Sequence, residues 1–223
     1  MKGKIIVIEG LDGSGKATQA ELLYQVLKNK GERVMKVSFP DYESDSSSLI
    51  KMYLAGEFGK DPESVNAYAA STFYAVDRFA SFKSKWQSFY ESGGIIVADR
   101  YTTSNAVHQC AKLPKELWNQ YLYWLYDFEF NKLGLPVPDK VLFLSVDPEV
   151  SQALMSERYK GDETKKDIHE RNMEYLKTCR MAAEHCISRL KWSEIECTEN
   201  GCMLSVEEIS KKIQASCVEG GIF

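Results

Sequence analysis

The stretch IIVIEGLDGSGKATQ, from Ile5 to Gln19, decides the fold. Its first four residues are β-branched and apolar, which is typical of a strand buried on both faces. Three glycines at positions 10, 13 and 15 follow, and the residues after Lys16 have apolar side chains at helical spacing. The stretch therefore predicts a buried strand, a tight glycine-rich turn and a helix in direct succession.

The rest of the chain repeats this alternation of short β-branched runs and longer helical segments, which favours a parallel sheet covered by helices. The predicted strands are Lys4–Glu9, Arg33–Phe39, Gly94–Asp99, Lys140–Val146 and Glu194–Thr198. The predicted helices are Lys16–Lys30, a long stretch opened by Asp61-Pro62 that runs to Gly93-Gly94 with a break near Arg78, Pro114–Lys132, a pair within Val150–Arg189, and a last helix opened by the capping box Ser205–Glu208. We expect an α/β fold in a single domain over residues 1–223.

Composition and charge limit the class of protein. With 44% hydrophobic and 27% charged residues, the chain is typical of an ordinary globular protein. Its 28 Lys and Arg residues are outnumbered by 32 Asp and Glu residues and form no dense basic tract, so we expect no nucleic-acid polymer as a partner. No apolar run approaches the roughly 20 residues of a membrane span, and the N-terminus is unlike a signal peptide. We expect a cytoplasmic protein that does not bind a membrane.

The six cysteines have neither a secretory context nor a C-x-x-C spacing. The three scattered histidines do not complete a zinc-ligand pattern with them. We therefore expect reduced and mostly buried thiols.

The glycine-rich turn predicts a phosphate site. Backbone N–H groups of such a turn and the N-terminus of the next helix surround one concavity that suits a polyphosphate. Lys16 can reach the β and γ phosphates of a nucleotide, so the segment matches a Walker A motif. The candidate ATP-binding residues are Gly10, Asp12, Gly13, Ser14, Gly15, Lys16, Ala17 and Thr18.

One position of this motif departs from the usual pattern. Ala17 stands where a Ser or Thr hydroxyl commonly ligates Mg²⁺, and the hydroxyl of Thr18 lies about 100° further around the helix. The sequence therefore leaves open whether Mg²⁺ contacts the protein at all.

A second charged group is expected beside the turn. The run Gly94–Asp99 is a buried strand that ends in a carboxylate, the usual place for a group that holds Mg²⁺ directly or through water. Because parallel strands end at one edge of the sheet, Asp99 should open into the same crevice as the loop after Glu9. Arg100 follows at once and can form a fork with a phosphate.

In these segments the chain resembles the thymidylate kinase family of nucleoside monophosphate kinases. The matching segments, which occur in the family's order, are Glu9–Gln19, Phe39-Pro40, Phe73–Arg78, Asp99–Ser104, and Asp167–Glu170 after a basic lid. The resemblance implies a three-layer P-loop fold with a five-stranded parallel sheet surrounded by helices and a short basic lid at approximately 157–167. It also implies a homodimer and the Mg-ATP-dependent phosphorylation of dTMP to dTDP.

The resemblance also implies roles for individual residues. Asp12 would lie near the acceptor deoxyribose, Arg78 and Arg100 would bind the acceptor phosphate, and Tyr74 would stack on thymine. The remaining substrate candidates are Phe39, Tyr42, Ser104, Asn105, His108, Gln109 and Glu170. Tyr74 and Arg78 are four residues apart and so share one helix face; the alternative for Tyr74 is a core aromatic.

Phosphoryl transfer mainly requires that two anionic nucleotides be held in line and their charge neutralised. Lys16, Asp99 and Arg100 are the candidate catalytic groups, with Asp99 the candidate metal ligand. The loop from Gly10 to Lys16 contains no arginine, so further positive charge is expected from the lid. The lid candidates are Arg158, Lys160, Lys165 and Lys166, of which we favour Arg158 because of its fork geometry.

Three positions depart from the family pattern. Asp41 and Tyr42 lie where many members have an arginine, and His108 lies where a tyrosine commonly helps to exclude a ribose 2′-hydroxyl. The alternatives are therefore a kinase of another deoxynucleotide or deoxynucleoside, and a P-loop protein that binds nucleotide without turnover. Two unpaired arginines in a closed site argue against an uncharged nucleoside acceptor.

The segment Pro114–Lys132 is unusually aromatic, with seven Trp, Tyr and Phe residues on more than one face. Such a helix is either buried in the core or packed on a partner. We predict a homodimer interface on this helix, with core packing as the alternative.

Overall fold

A five-stranded parallel sheet forms the centre of the fold. The computed structural model describes residues 2–147, 149–151, 153–154 and 172–221. The strands are β1 (Lys4–Gly10), β2 (Val34–Ser38), β3 (Ile95–Asp99), β4 (Lys140–Ser145) and β5 (Ser193–Glu196), in the order β2-β3-β1-β4-β5. All five predicted strands are confirmed with small shifts of their ends.

Helices cover both faces of this sheet. They are α1 (Lys16–Asn29), α2 (Ser48–Leu54), α3 (Ala67–Ser81), α4 (Gln87–Glu91), α5 (Thr102–Cys110), α6 (Trp118–Tyr126), α7 (Met173–Leu190) and α8 (Val206–Glu219). Two π-helical segments, Phe82–Trp86 and Asp127–Lys132, continue α3 and α6. An unpredicted short hairpin of β6 (Thr198–Glu199) and β7 (Cys202–Met203) lies between β5 and α8.

The apolar residues of β1 divide between the two faces because successive side chains of a strand point in opposite directions. Ile6 and Ile8 pack with Leu23 of α1 and Ile213 of α8. On the other face, the cluster that contains Ile5 and Val7 also contains Trp86 and Tyr101. The result is three layers, helix on sheet on helix, as expected.

The long helix predicted after Asp61-Pro62 begins later than predicted. Pro62–Ser64 forms only a 3₁₀ turn, and the Asp61 side chain makes no capping hydrogen bond. The helix α3 begins at Ala67 because the side chain of Asn66 accepts a hydrogen bond from the N–H of Ala69.

The break predicted near Arg78 is wrong. Arg78 lies inside α3, and the irregular turn begins only at Phe82. A buried ion pair with Glu129 satisfies the Arg78 guanidinium, so the charge does not mark an end of the helix.

The aromatic segment divides between core and surface. Trp118 and Tyr121 are buried, as the alternative of core packing requires, whereas Tyr123 is 80% exposed. Five of the six cysteines are buried, as predicted, and Cys202 is exposed. None of the helices in the described part of the chain has the length and hydropathy needed to cross a membrane.

Candidate active site

The glycine-rich turn lies between β1 and α1, as predicted. A Cβ atom at Gly10 would come within 2.6 Å of Ser14 Oγ and 2.9 Å of the carbonyl oxygen of Leu144, so the turn closes tightly against β4. Gly15 has a left-handed backbone, with φ at +80°, directly before the first helical residue. These two glycines bring the N-terminus of α1 to the edge of the sheet.

Lys16 is buried beneath this turn. Its Nζ donates a hydrogen bond to the carbonyl oxygen of Leu11 at 2.8 Å and lies 3.8 Å from Asp12 Oδ1. Burial, and secondly the charge of Arg100, lower the pKa of Lys16 to about 8. The lysine is therefore poised to gain charge when an anion approaches.

Asp99 and Arg100 follow β3, which pairs directly with β1. Asp99 Oδ2 accepts a hydrogen bond from Ser38 Oγ at 3.1 Å. Arg100 has φ at +65°, which is unusual for a residue with a side chain, and the arginine forms an ion pair with Asp12. Its Nη1 also donates to Ser104 Oγ at 3.1 Å. Although burial opposes the charge, Asp12 and Glu9 hold the pKa of Arg100 above its usual value.

Glu9 joins these parts, and sequence reasoning missed its role. It is buried at the end of β1, where Oε2 accepts hydrogen bonds from Thr103 Oγ1 at 2.6 Å and Ser104 Oγ at 2.8 Å. Its Oε1 lies 3.5 Å from Arg100 Nη1. Glu9 therefore ties the phosphate turn to the first turn of α5 and to Arg100. A glutamate at the end of an otherwise apolar strand was the available signal.

Carboxylates surround the two cations at this edge of the sheet. Among the described residues, Glu9, Asp12 and Asp99 all act to raise the pKa of both Lys16 and Arg100. Within the described residues the carboxylates do not converge into a set of three metal ligands. A single carboxylate such as Asp99 still fits Mg²⁺, which commonly keeps several waters and takes its other ligands from substrate phosphates.

A cleft of about 1010 Å³ runs along the turn, lined by Gly13, Gly15, Lys16, Ala17 and Thr18 and by Asp99. Ser14 is buried and Gly10 lies in β1, so these two candidates support the turn from beneath. A second cavity of about 90 Å³ adjoins the cleft. The two share Asp12, Phe39, Pro40, Tyr42 and Arg100.

The second cavity is lined by residues that were predicted to bind the acceptor. Besides the five shared residues it is lined by Tyr74, Arg78, Tyr101, Ser104, Asn105, His108 and Gln109. Tyr74 and Arg78 face the cavity together, as their spacing on α3 predicts. Gln109 Oε1 is buried there without a hydrogen-bond partner among the described residues, which is unusual for a folded protein and indicates a missing donor.

Arg78 is not an unpaired cation. Its Nε and Nη2 donate to the two carboxylate oxygens of Glu129 at 2.7 and 2.8 Å, and both side chains are buried. The guanidinium also lies over the rings of Phe39 and Tyr101, at 5.6 and 5.4 Å from their centroids. Arg100 is paired as well, with Asp12, so the sequence-based argument from two unpaired arginines is wrong. Glu129 was missed because its partner is 51 residues away.

His108 lies at the wall of the cavity between Arg100 and α7. Its Nε2 lies 3.5 Å from Arg100 Nη1, and its Nδ1 lies 3.6 Å from Cys179 Sγ. Burial, with the charge of Arg100, lowers the pKa of His108 to about 3, so the imidazole is neutral. Because Arg100 can only donate, Nε2 is the accepting nitrogen of this ring.

The loop after β2 carries Tyr42 to the junction of the two cavities. The buried Asp77 of α3 holds this loop, since its Oδ2 accepts from the N–H of Asp41 at 2.8 Å and its Oδ1 from Ser46 Oγ at 2.6 Å. Asp41 itself forms an ion pair with Lys85. This pair compensates the negative charge that the sequence led us to expect near the acceptor.

Six of the predicted features lie outside the described residues. They are the lid at approximately 157–167, Arg158, Lys160, Lys165, Lys166 and Glu170.

Comparison with known proteins agrees with this geometry. A family model for thymidylate kinase matches residues 8–212. A thymidylate kinase of Mycobacterium tuberculosis is 33% identical over 172 residues, which are 76% of this chain and 79% of that protein. A thymidylate kinase of Caenorhabditis elegans is 33% identical over 162 residues, covering 67% of this chain and 66% of its own.

A solved structure of thymidylate kinase from Candida albicans has the same fold. It aligns with a TM-score of 0.72 and 21% sequence identity over 99% of this chain and 93% of its own. The matched residues include the end of β1, the glycine-rich turn and α1, as well as Asp99, Arg100 and the residues that line the second cavity. The chain therefore belongs to the thymidylate kinase family.

Proposed function

We propose that the protein transfers the γ-phosphoryl group of ATP to dTMP and releases dTDP and ADP. The observation that carries this proposal is the junction of the long cleft and the small cavity at Asp12, Tyr42 and Arg100. In-line transfer needs two anionic nucleotides to meet at one point, and this junction is such a point. Membership of the thymidylate kinase family supports the same reaction.

The long cleft is the proposed ATP site. Backbone N–H groups from Gly13 to Thr18 would bind the donor phosphates at the N-terminus of α1. Lys16 would exchange its hydrogen bond to Leu11 for a phosphate oxygen. We propose that Arg100 binds the acceptor phosphate, because its guanidinium faces the junction and a fork suits a phosphate.

The small cavity is the proposed dTMP site. Its volume is about 90 Å³, and it opens into the long cleft at Asp12 and Arg100. Tyr74 and Phe39 offer aromatic faces to that base, Asn105 and Ser104 offer polar groups, and Gln109 Oε1 would accept the hydrogen bond that it lacks. Arg78 contributes donors rather than net charge, because Glu129 already balances it.

We propose that Asp99 holds Mg²⁺ directly or through water, since Ala17 offers no hydroxyl. The ion would supply charge neutralisation between the β and γ phosphates. From the resemblance we also propose that Arg158 and Glu170 take part in closure over the acceptor. We further propose that the chain forms a single domain with a lid at approximately 157–167.

We also propose a homodimer that forms through α3 and α6. Tyr68, Val76 and Phe79 are exposed on α3, and Tyr123 is exposed on α6. Large apolar side chains at one surface commonly mark a contact with another chain. A cytoplasmic location fits the exposed free thiol of Cys202, which persists best in a reducing compartment.

The deciding experiment measures ADP release from Mg-ATP with dTMP, dUMP, dCMP, dGMP, the ribonucleotide of thymine and thymidine offered separately. We expect turnover with dTMP well above the others, and its loss in Lys16→Ala. Preference for another acceptor would retain the phosphoryl transfer and assign the difference to Tyr42 or His108. ATP binding without turnover of any acceptor would contradict the proposal.

A further inference from the structure

The most densely bonded carboxylate of the acceptor cavity is one that no substrate can touch. Glu129 is completely buried, yet its two oxygens accept four hydrogen bonds from three side chains. Arg78 supplies two of these bonds, Thr102 donates at 2.6 Å and Asn105 Nδ2 donates at 3.1 Å. Arg78 and Asn105 line the cavity, whereas Thr102 and Glu129 lie behind them.

We infer that Glu129 is a positioning residue for the acceptor, which holds Arg78 and Asn105 in one arrangement and balances the charge of Arg78. The inference deepens the proposed function and rests on it for the nature of the acceptor.

The hydrogen bonds determine how Arg78 can meet a ligand. Because Nε and Nη2 are bonded to Glu129, the guanidinium plane is held in one orientation. The Nη1 nitrogen is not part of this pair and is left for the cavity. A bidentate arginine pair fixes direction as well as distance, so Nη1 is presented at one place.

Asn105 is held by the same carboxylate. Its Nδ2 donates both to Glu129 Oε1 and to the carbonyl oxygen of Ser71 at 3.2 Å. These two hydrogen bonds use the amide nitrogen of Asn105 and orient its amide oxygen away from Glu129. One carboxylate therefore sets the hydrogen-bond pattern of two cavity-lining residues, one from α3 and one from α5.

Charge supports the same role. Glu129 balances a buried guanidinium, and together with Arg78 it forms a neutral unit at the wall of the cavity. Removing only the carboxylate would leave a buried and unbalanced cation, which is costly, and would release the guanidinium from its fixed orientation. Thr102, at the start of α5, adds a further bond that keeps the carboxylate in place.

The backbone that carries Glu129 is itself unusual. Glu129 lies in the π-helical segment Asp127–Lys132 that extends α6 toward β4. Such turns alter the direction of side chains relative to a regular helix and are frequent at functional sites. Here the turn belongs to the element that delivers Glu129 to the rear of the cavity.

The test compares Glu129→Gln, Thr102→Val and Trp118→Phe with the wild type in steady-state kinetics and thermal unfolding. We expect Glu129→Gln to raise the KM for dTMP about tenfold or more, while the KM for ATP changes less than about twofold. Thr102→Val should shift the KM for dTMP in the same direction by about two- to fivefold, because it removes one bond to the carboxylate and nothing from the cavity surface.

Trp118→Phe is the matched control. It removes the indole N–H that donates to the carbonyl oxygen of Leu113, in the same helix α6, and Trp118 lines neither cavity. We expect it to lower the melting temperature without changing the KM for dTMP. Equal effects on both substrates, or an unchanged KM for dTMP in folded Glu129→Gln and Thr102→Val, would overturn the inference.

Three further outcomes are separable. If Glu129→Gln does not fold, the comparison of Thr102→Val with Trp118→Phe decides the question. If the wild type prefers another acceptor, the proposed dTMP specificity fails while the same comparison is made with that acceptor. If the wild type turns over no acceptor, calorimetric titration with dTMP decides the question. Equal affinities of Thr102→Val and the wild type for dTMP would overturn the inference, and so would the absence of dTMP binding.

Discussion

At the scale of the residue, the protonation of Lys16 depends on its surroundings, because this lysine is buried and lies near Arg100. Lys16 is predicted from sequence as a phosphate ligand, and the cleft that it lines agrees with that role. Its hydrogen bond to Leu11 and its lowered pKa follow only from burial and from the neighbouring charge of Arg100. The affinity for a phosphate therefore depends on pH near neutrality.

We expect ATP affinity to fall with rising pH because of Lys16. Its pKa in the nucleotide-free protein is about 8, so the lysine is mostly charged below that pH and mostly neutral above it. If only the charged form binds well, the apparent dissociation constant should rise about tenfold between about pH 7 and about pH 9. Isothermal titration of ATP in buffers of different ionisation enthalpy should also detect proton uptake.

Lys16→Ala serves as the control for the titration of ATP itself. It should bind ATP weakly with a much flatter pH dependence. The same slope in the variant and the wild type would contradict the role of Lys16.

At the scale of the element, the turn between β1 and α1 uses its glycines for two different reasons. Gly10 is close to Ser14 and to β4, so glycine is required there because a larger side chain has no room. Gly15 has open space around an added Cβ and is required by its positive φ. Both were predicted from one motif, although the sequence does not distinguish the two reasons.

We expect Gly10→Ala to be more harmful than Gly15→Ala. The first adds a Cβ that collides with the Leu144 carbonyl oxygen at 2.9 Å, which should cost about 2–3 kcal/mol of unfolding free energy. The second adds only left-handed strain of about 1 kcal/mol. Urea unfolding of both variants measures the difference, and equal losses would contradict this account.

At the scale of the whole molecule, Val76 and Phe79 of α3 and Tyr123 of α6 are among the exposed apolar side chains of the described residues, while Tyr68 also packs on α6. The rest of the aromatic segment packs into the core, where Trp118 and Tyr121 join α5 and α7. The dimer prediction therefore moves from α6 as a whole to α3 and a single exposed side of α6.

We expect the wild type to sediment as a dimer of the 25.4 kDa chain and Val76→Glu to sediment as a monomer. A charge at the centre of an apolar contact is desolvated without a partner, so association is lost. Val218→Glu is the matched control, since Val218 is similarly exposed on α8, which packs on the other face of the sheet. A monomeric wild type, or dissociation by both variants, would contradict the assignment.

The sequence by itself determined the local order of the fold. The five strands, the helix α1 and the capping box of α8 were predicted because their signals lie within a few adjacent residues. The phosphate turn and the pair Asp99-Arg100 were predicted to share one crevice for a similar reason, since strand ends of a parallel sheet meet at one edge. These predictions needed only neighbouring residues and one rule of topology.

Only the tertiary structure decided which charges are paired. Glu129 meets Arg78 across 51 residues and Glu9 meets Thr103 across 94 residues, so no local pattern indicates either contact. The sequence states which side chains are ionisable. The partner and the solvation of each such side chain depend on which distant elements the fold brings together. For that reason the sequence named the residues of the candidate site, and the fold determined their protonation, orientation and net charge.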